Sequence, residues 1–511
     1  MNQVVRAVYW GALAMTCLVA VLLVRTYTFD DGSHLFAGSW EPGVQIDVSF
    51  SDQERRVLLE EFKDAIRIPT VSFSQTKANT TALQEFGDYI RKVFPAVHSS
   101  HLVHYEVIEK YSHLFTISGS NRALQPYMLL AHLDVVPATD EDWDVPPFSG
   151  EEVNGFIYGR GTVDDKHCLM GILQALEYLL QRGYEPRRSF YIGIGHDEEI
   201  QGLVGAKNIA STLQARGVSL SFLLDEGMMI FEDVISGIKK PTALIGTSEK
   251  GYIALALSVK TKPGHSSFPP PVTCIGILAE AVSRLERTPL PSMFGRGAEL
   301  GTFEHLATQF SFPLNVVMTN LWLFSSLVSR ILERKPATNA LIRTTTALTM
   351  FESGIKTNVL PPSAKAIVNL RVHPAQTVKE VLHLVQSIVA DERVKVEIED
   401  AYNPIPSSSY STDAFGFQTV KKTIKDIFPD VLVAPGLFIG ASDSKHFQNL
   451  TKDIYRFAPV LFKPEDLSRF HGLNERISIT GYEDVVKFYI HLIQNADADK
   501  LPGLHKQSHE L

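Results

Sequence analysis

Residues 127–137 read Tyr-Met-Leu-Leu-Ala-His-Leu-Asp-Val-Val-Pro, an apolar run that ends in a histidine and an aspartate. A short apolar run that ends in polar residues predicts a strand buried on both faces, as in a parallel sheet. Similar runs occupy 189–194 and 222–224, and amphipathic helical patterns occupy 169–180 and 203–213. Strands that alternate with helices in this way predict an α/β domain with a parallel sheet.

The pattern changes after Gly246 to strand, helix, two strands, helix and strand, which predicts a ferredoxin-like α+β module. We therefore predict one domain in two parts, 48–247 and 403–500, with a second domain inserted at 248–402. A segment at about 289–336 interrupts the inserted domain and is too apolar for a linker. It is either a helix pair that packs on the inserted domain or on another subunit, or a groove for a long acyl chain.

The composition is that of a folded protein with more than one domain. The chain has 511 residues, 57 acidic and 48 basic side chains, a net charge of −9 and 45% hydrophobic residues. This balance excludes intrinsic disorder and a small disulfide scaffold. Mild acidity without a block of Lys or Arg argues against a nucleic-acid partner.

The N-terminus carries the only long apolar run in the sequence. Residues 8–24 are almost entirely apolar and lie between Arg6 and Arg25. A run slightly shorter than the ~20 residues of a membrane span, after a basic N-terminus, predicts a signal peptide over 1–25 and a secreted, extracellular protein. Because Arg25 and Tyr27 leave no clean cleavage site, an uncleaved anchor that holds a lumenal protein is the alternative.

Two further features bear on the compartment. Asn79 and Asn449 each begin an Asn-x-Thr sequon, so we predict glycosylation at both residues. Of three cysteines, Cys17 lies in the leader, which leaves Cys168 and Cys274. Two isolated cysteines do not make a disulfide framework.

Polar residues with metal-binding chemistry follow successive strands. Alone, each motif is also typical of surface charges or helix caps. Together they place two imidazoles and several carboxylates, without thiolates, beyond the carboxyl ends of parallel strands, where ligands of such sheets bind. This donor set suits hard to borderline divalent ions. The motifs are His132-Leu133-Asp134, Gly159 to Lys166 with Asp164 and Asp165, His196 to Glu199, Asp225-Glu226-Gly227 and His471-Gly472.

These motifs, read as H-L-D-V-V-P, G-R-G-T-V-D-D-K, G-H-D-E-E, L-D-E-G and F-H-G, resemble the metallopeptidase/aminoacylase family. That family includes aminoacylase, carnosinase, bacterial carboxypeptidase G and yeast vacuolar carboxypeptidase S. The resemblance spans nearly all of the chain after the leader. It implies a mixed-sheet zinc-peptidase catalytic domain, an inserted lid that also serves dimerisation, and a cis peptide after Asp164. The leader, the size and the apolar insertion are similar to the branch that acts on N-fatty-acyl amino acids.

The resemblance also implies roles for individual residues. Two Zn²⁺ ions per subunit would be held by His132, Asp164, Glu199, Asp225 and His471. His132 and Asp225 would bind one ion, Glu199 and His471 the other, and Asp164 both. Asp134 would orient His132, and Glu198 would be the general base.

The resemblance places substrate contacts at four further residues. These are His265 in the lid, which often acts across a homodimer, Asn358, Arg371 and the loop at Gly440. An arginine fork suits the free α-carboxylate of an amino acid.

The implied function is hydrolysis of N-fatty-acyl amino acids and, in reverse, their condensation from fatty acid and free amino acid. The partners are then small molecules, with contact to a lipid or lipoprotein surface as a further possibility. The alternative is a secreted or vacuole-type metallo-carboxypeptidase or dipeptidase that acts on unmodified peptides. The sequence disfavours a serine hydrolase, because it lacks G-x-S-x-G. It also disfavours a catalytically inactive carrier protein with the same fold, because the implied metal ligands and the implied general base are all present.

Overall fold

A computed structural model of the chain describes residues 3–30, 46–74 and 76–498. Its helices are α1 (Gln3–Tyr27), α2 (Asp52–Arg67), α3 (Thr80–Val93), α4 (Pro95–Ser99), α5 (Lys166–Gln181), α6 (Ala206–Ala215), α7 (Cys274–Arg287), α8 (Ala298–Leu306), α9 (Leu314–Thr319), α10 (Leu321–Leu332), α11 (Pro336–Ile342), α12 (Val378–Val389), α13 (Phe415–Ile427) and α14 (Ile479–Asn495).

Its strands are β1 (Ser72–Ser74), β2 (Lys77–Ala78), β3 (Val103–Ile108), β4 (Ser112–Ile117), β5 (Tyr127–His132), β6 (Glu152–Val153), β7 (Phe156–Tyr158), β8 (Phe190–Gly195), β9 (Leu223–Asp225), β10 (Ile230–Phe231), β11 (Thr242–Glu249), β12 (Gly251–Lys260), β13 (Gly264–His265), β14 (Thr345–Ser353), β15 (Val359–Leu360), β16 (Ser363–Val372), β17 (Lys395–Tyr402), β18 (Leu432–Phe438), β19 (Ile454–Arg456), β20 (Leu461–Phe462) and β21 (Arg476–Ser478).

A large mixed sheet has the strand order β20-β10-β11-β19-β9-β5-β8-β4-β3, with β18 paired to β11. Strand β5 is buried along its whole length and pairs in parallel with β8 and β9. Because parallel strands end on the same side of a sheet, the residues that follow β8, β5 and β9 meet at one edge.

Helix α5 packs over this sheet and begins directly behind Asp164 and Asp165. Nearly every residue of α5 is buried, as expected for a helix that is apolar on most sides. At Gly171 a Cβ atom would lie 2.7 Å from Val485 Cγ1, so glycine lets α14 approach α5 closely. On the same side of the domain, the ring of Phe62 in α2 stacks on Tyr482 of α14 with a centroid distance of 3.8 Å.

A second sheet has the order β14-β16-β12-β17 and is antiparallel throughout. Helices α7 and α12 join it in a separate apolar core that includes Leu278, Val368 and Val385. The chain order of these elements is β-α-β-β-α-β, apart from the short β13 and β15. The predicted mixed-sheet catalytic fold with an inserted ferredoxin-like α+β lid is thus confirmed.

The apolar insertion forms the four helices α8 to α11. Its inner side chains, such as Leu306 and Phe310, pack with Ala434 of β18 in the large sheet. Thr302 Oγ1 donates a hydrogen bond to the Pro435 carbonyl oxygen at 2.7 Å. The insertion therefore packs on the large sheet, a contact that neither sequence interpretation anticipated.

Helix α1 extends beyond both ends of the apolar run at residues 8–24. It has 25 residues and is long and apolar enough to cross a membrane. By position and composition, it is compatible with either a signal peptide or an anchor.

We expect the packing of α2 against α14 to contribute strongly to stability. Replacing the fully buried Phe62 by Ala should lower the free energy of unfolding by about 3–5 kcal/mol, because it leaves a cavity beneath Tyr482. The matched control is Phe73→Ala, at a phenylalanine that is 52% exposed, and it should cost less than about 1 kcal/mol. Midpoints of chemical denaturation measure both changes. Equal midpoints for the two variants would contradict this assignment of the core.

Candidate metal centre

The end of β5 presents His132 to two carboxylates. Its Nε2 lies 3.0 Å from Asp164 Oδ1 and 3.4 Å from Glu226 Oε1. Its Nδ1 lies 3.0 Å from the carbonyl oxygen of Asp134 and 3.4 Å from the Asp134 carboxylate. With Nδ1 as a donor to Asp134, the lone pair of Nε2 faces the two carboxylates, as in a metal-binding histidine.

The second oxygen of Asp164 faces another histidine. His471 Nε2 lies 2.7 Å from Asp164 Oδ2 and 3.5 Å from Glu199 Oε2. Asp164 thus lies between two imidazoles, one oxygen toward each. Glu226 lies near His132 on one side of Asp164, and Glu199 lies near His471 on the other side.

The electrostatics of this cluster fit divalent cations. Burial, together with the negative charge of Asp164, raises the pKa of both Glu199 and Glu226 well above the ordinary value. Glu199 Oε1 has no hydrogen-bond partner among the described residues. Burial also raises the pKa of the nearby Cys168 thiol, so this side chain stays protonated. Imidazole and carboxylate donors around uncompensated negative charge suit two hard to borderline cations.

Asp225, which the sequence analysis assigned to this cluster, points elsewhere. Its Oδ2 accepts a hydrogen bond from the backbone N–H of Ser444 at 2.9 Å, and its Oδ1 accepts one from the N–H of Glu226 at 3.0 Å. Its neighbour Glu226 instead reaches His132. At the end of β9 the geometry therefore favours Glu226 over Asp225 as the ligand.

Asp134 also positions the loop that follows β8. Its two carboxylate oxygens accept hydrogen bonds from the N–H groups of Glu198, at 3.0 Å, and Glu199, at 3.3 Å. Burial raises the pKa of Glu198 to about 7, although the positive charge of Lys445 opposes the increase. A carboxyl group with a pKa near 7 can both accept and return a proton at neutral pH.

The peptide bond between Asp164 and Asp165 is cis.

The structure does not bring the four predicted substrate residues into hydrogen-bond contact with this cluster. In the described part of the chain, His265 is exposed in β13 and Asn358 is exposed in the turn just before β15. The Arg371 guanidinium lies 5.3 Å from the centre of the Tyr252 ring. Gly440 lies in the loop after β18, close to the ring of Phe438.

The two sequons differ in their surroundings. Asn79 caps α3: its Oδ1 accepts from the Ala82 N–H at 3.3 Å, and its Nδ2 donates to the Pro69 carbonyl oxygen at 3.1 Å. Asn449 is exposed, and its Nδ2 donates to Gln214 Oε1 at 3.4 Å. The side-chain nitrogen that a glycan needs is thus more accessible at Asn449.

The sequence also matches a known enzyme family over most of its length. Residues 128–495 match the profile of Peptidase family M20/M25/M40. The chain belongs to this family. The match includes the segments that carry His132, Asp164, Glu199, Glu226 and His471, and it confirms the resemblance inferred from the motifs.

Relatives within the family cover nearly the whole chain. The chain is 56% identical over 499 residues to the N-fatty-acyl-amino acid synthase/hydrolase PM20D1 of Xenopus tropicalis, covering 98% of this chain and 96% of that one. It is 53% identical over 494 residues to the protein of the same name from Homo sapiens, covering 96% and 98%. A more distant relative, the "Probable carboxypeptidase S-like 2" of Dictyostelium discoideum, is 39% identical over 456 residues, covering 88% and 87%.

The fold has counterparts among solved structures. The M20 family metallo-carboxypeptidase Sso-CP2 from Sulfolobus solfataricus aligns with a TM-score of 0.61 at 18% sequence identity. The alignment covers 88% of this chain and 100% of that chain. At this identity the likeness shows a shared fold.

Glu475 is a buried carboxylate to which the sequence analysis assigned no role. Its Oε1 accepts hydrogen bonds from three backbone N–H groups of one loop, at 3.0, 2.7 and 3.2 Å: those of Gly161, Val163 and Asp164. Its Oε2 accepts one from Arg160 Nη1 at 2.7 Å, and Arg160 Nη2 donates to the His471 carbonyl oxygen at 3.1 Å. One side chain therefore joins the loop of Asp164 to the loop of His471. Its position four residues after His471 is the only sequence signal for this role.

We expect Glu475→Gln to weaken metal binding although Glu475 is not a ligand. The amide loses the charge that balances Arg160 and can no longer accept all four hydrogen bonds. Groups that orient metal ligands typically contribute about 10–100-fold to metal affinity or activity. Metal content after dialysis, followed by the hydrolysis rate after metal is added back, measures the effect. Glu465→Gln, at an exposed residue of the same segment, is the matched control. Full metal retention by Glu475→Gln would contradict the role.

Proposed function

We propose that the chain is a dinuclear zinc amidohydrolase that hydrolyses N-fatty-acyl amino acids and, in reverse, condenses them from fatty acid and free amino acid. One observation supports the amide hydrolysis above all: Asp164 directs one oxygen to His132 and the other to His471. The acyl specificity is supported by the names of the relatives at 53% and 56% identity.

We assign five side chains to the metal ions. His132 and Glu226 would hold one Zn²⁺, Glu199 and His471 the other, and Asp164 both. Glu226 takes the place that the sequence analysis gave to Asp225, because only Glu226 faces His132. Asp225 instead fixes the loop at Ser444.

The chemistry follows from two cations and one free carboxylate. Bound zinc ions would polarise the amide carbonyl and acidify a water molecule at the centre. Glu198 would take a proton from the attacking water and return it to the amine nitrogen as the carbon–nitrogen bond breaks. The same steps in reverse join a fatty acid and an amino acid, so the direction depends on their concentrations.

We retain four residues as proposed substrate contacts. Arg371 would bind the free α-carboxylate, the loop at Gly440 would close over it, and His265 and Asn358 would contact the carbonyl group. The exposure of His265 and Asn358 in a single chain supports a homodimer in which a second copy covers them.

A carboxypeptidase or dipeptidase is the second candidate function. It is favoured by the relative at 39% identity, which is named as a probable carboxypeptidase S-like protein. The metal centre serves either reaction, because both break an amide bond beside a free carboxylate. The substrates of the two reactions differ in the acyl group of that bond, which is a fatty-acyl chain in one reaction and an amino-acid residue in the other.

We propose that the folded part lies outside the cell or in a lumen, delivered there by α1 as a signal peptide or an anchor. Glycosylation of Asn79 and Asn449 would follow in that compartment. We also keep the division into a catalytic domain at 48–247 and 403–500 and a lid at 248–402. Separate apolar cores for the two sheets support that division.

We expect Glu198→Gln to abolish turnover without loss of metal. The amide cannot accept the proton of water, and loss of a general base typically costs about 10²–10⁴ in rate. Metal content and hydrolysis rate are measured on the same sample. Glu199→Gln is the matched comparison, because this neighbour is a proposed ligand and should lose metal as well as activity. Wild-type activity in Glu198→Gln would refute its role.

We expect hydrolysis to favour a long acyl chain and to stop when a chelator is added. The test compares an N-oleoyl amino acid, the N-acetyl derivative of the same amino acid and a dipeptide. Two buried methylenes are worth about 1.6 kcal/mol, so even partial burial of the oleoyl chain gives it at least a roughly tenfold higher kcat/KM. A chelator-sensitive preference for the dipeptide would support the second candidate. Activity that survives metal removal would contradict the metal centre.

A further inference from the structure

The five proposed metal ligands differ sharply in their exposure to solvent. The side chains of His132, Asp164, Glu199 and Glu226 are at most 9% exposed, whereas that of His471 is 47% exposed. The metal centre therefore opens to solvent at His471. A substrate that reaches the centre from this side passes the side chains that border His471.

Large apolar side chains border His471 at the surface. Phe470 is 38% exposed, and its ring stacks on the imidazole ring of His471 with a centroid distance of 4.9 Å. In the same loop, Leu467 is 51% exposed and Leu473 is 46% exposed. Apolar side chains that cluster on a surface mark interaction surfaces or ligand-binding grooves.

Trp143 extends this apolar surface and is partly exposed. Its segment is attached to the loop of His471, because Asn474 Nδ2 donates to Asp144 Oδ2 at 3.0 Å and Asn474 Oδ1 accepts from the Asp144 N–H at 2.8 Å. The Arg160 guanidinium lies 5.4 Å from the centre of the Trp143 ring, and its Nη2 donates to the His471 carbonyl oxygen. We call these four apolar residues the entrance rim: Trp143, Leu467, Phe470 and Leu473.

The arginines beside the entrance rim already have acidic partners. Arg160 pairs with Glu475 at 2.7 Å, and Arg469 pairs with Asp466 at 3.4 Å. The α-carboxylate of an amino acid is best bound by a cation that is free to donate to it. The entrance rim therefore suits the uncharged, apolar part of a substrate better than its amino-acid part.

We propose that the entrance rim binds the fatty-acyl chain of the substrate, at the methylenes next to the amide that is cleaved. This inference rests on the proposed hydrolysis of N-fatty-acyl amino acids and adds the place of the acyl chain. The chain then lies beside the metal centre and not in the apolar insertion, whose inner side chains such as Leu306 and Phe310 already pack on the large sheet.

The test compares two leucines of equal exposure. Leu467→Ser changes the entrance rim, and Leu327→Ser in α10 of the insertion is the matched control, because both side chains are 51% exposed. The measured quantity is the ratio of kcat/KM for an N-oleoyl amino acid to kcat/KM for the N-acetyl derivative of the same amino acid. We expect Leu467→Ser to lower this ratio roughly fourfold, the equivalent of one methylene that is no longer buried. Leu327→Ser should keep the wild-type ratio.

Leu473→Ser provides a second variant of the entrance rim and should lower the ratio in the same way. A wild-type ratio in both rim variants would overturn the proposal, and so would equal losses for both substrates, because the leucines would then act through His471. A lower ratio in Leu327→Ser alone would place the acyl chain in the insertion. Failure of the wild-type protein to hydrolyse the N-oleoyl amino acid would instead refute the proposed function, and the entrance rim with it.

Discussion

The contact of Asp164 with two imidazoles is the interaction on which the rest of the site depends. It joins residues that are 32 and 307 positions away in the chain. His132 arrives at the end of a buried strand, Asp164 stands at the start of α5, and His471 lies on a loop near the C-terminus. The large sheet positions His132, and the packing of α5 positions Asp164. The Glu475–Arg160 pair positions His471.

The same cluster imposes an electrostatic cost on the fold. Asp164, Glu199 and Glu226 place negative charge in a buried region, where like charges disfavour one another. Divalent cations would remove this cost, so metal binding and stability should be linked. Burial raises the pKa of Glu198 to about 7, which suits its carboxyl group to accepting and returning a proton.

Much of this arrangement can be predicted from sequence, because strand ends and family motifs are local. The α/β fold, the inserted ferredoxin-like lid and the family were predicted correctly. The sequence alone does not decide between Asp225 and Glu226 as a ligand, since the direction of a side chain just beyond a strand depends on its hydrogen bonds, here the one between Asp225 and Ser444. The role of Glu475 and the packing of the insertion on β18 depend on contacts between distant segments, and no local pattern encodes them.

Anomalous X-ray diffraction from crystals of the zinc-loaded protein tests the central claim most directly. The account predicts two zinc peaks, one on each side of Asp164. One ion should be bound by His132 and Glu226 and the other by Glu199 and His471. A single peak, or zinc bound away from Asp164, would contradict the dinuclear centre, and coordination by Asp225 in place of Glu226 would contradict the ligand assignment.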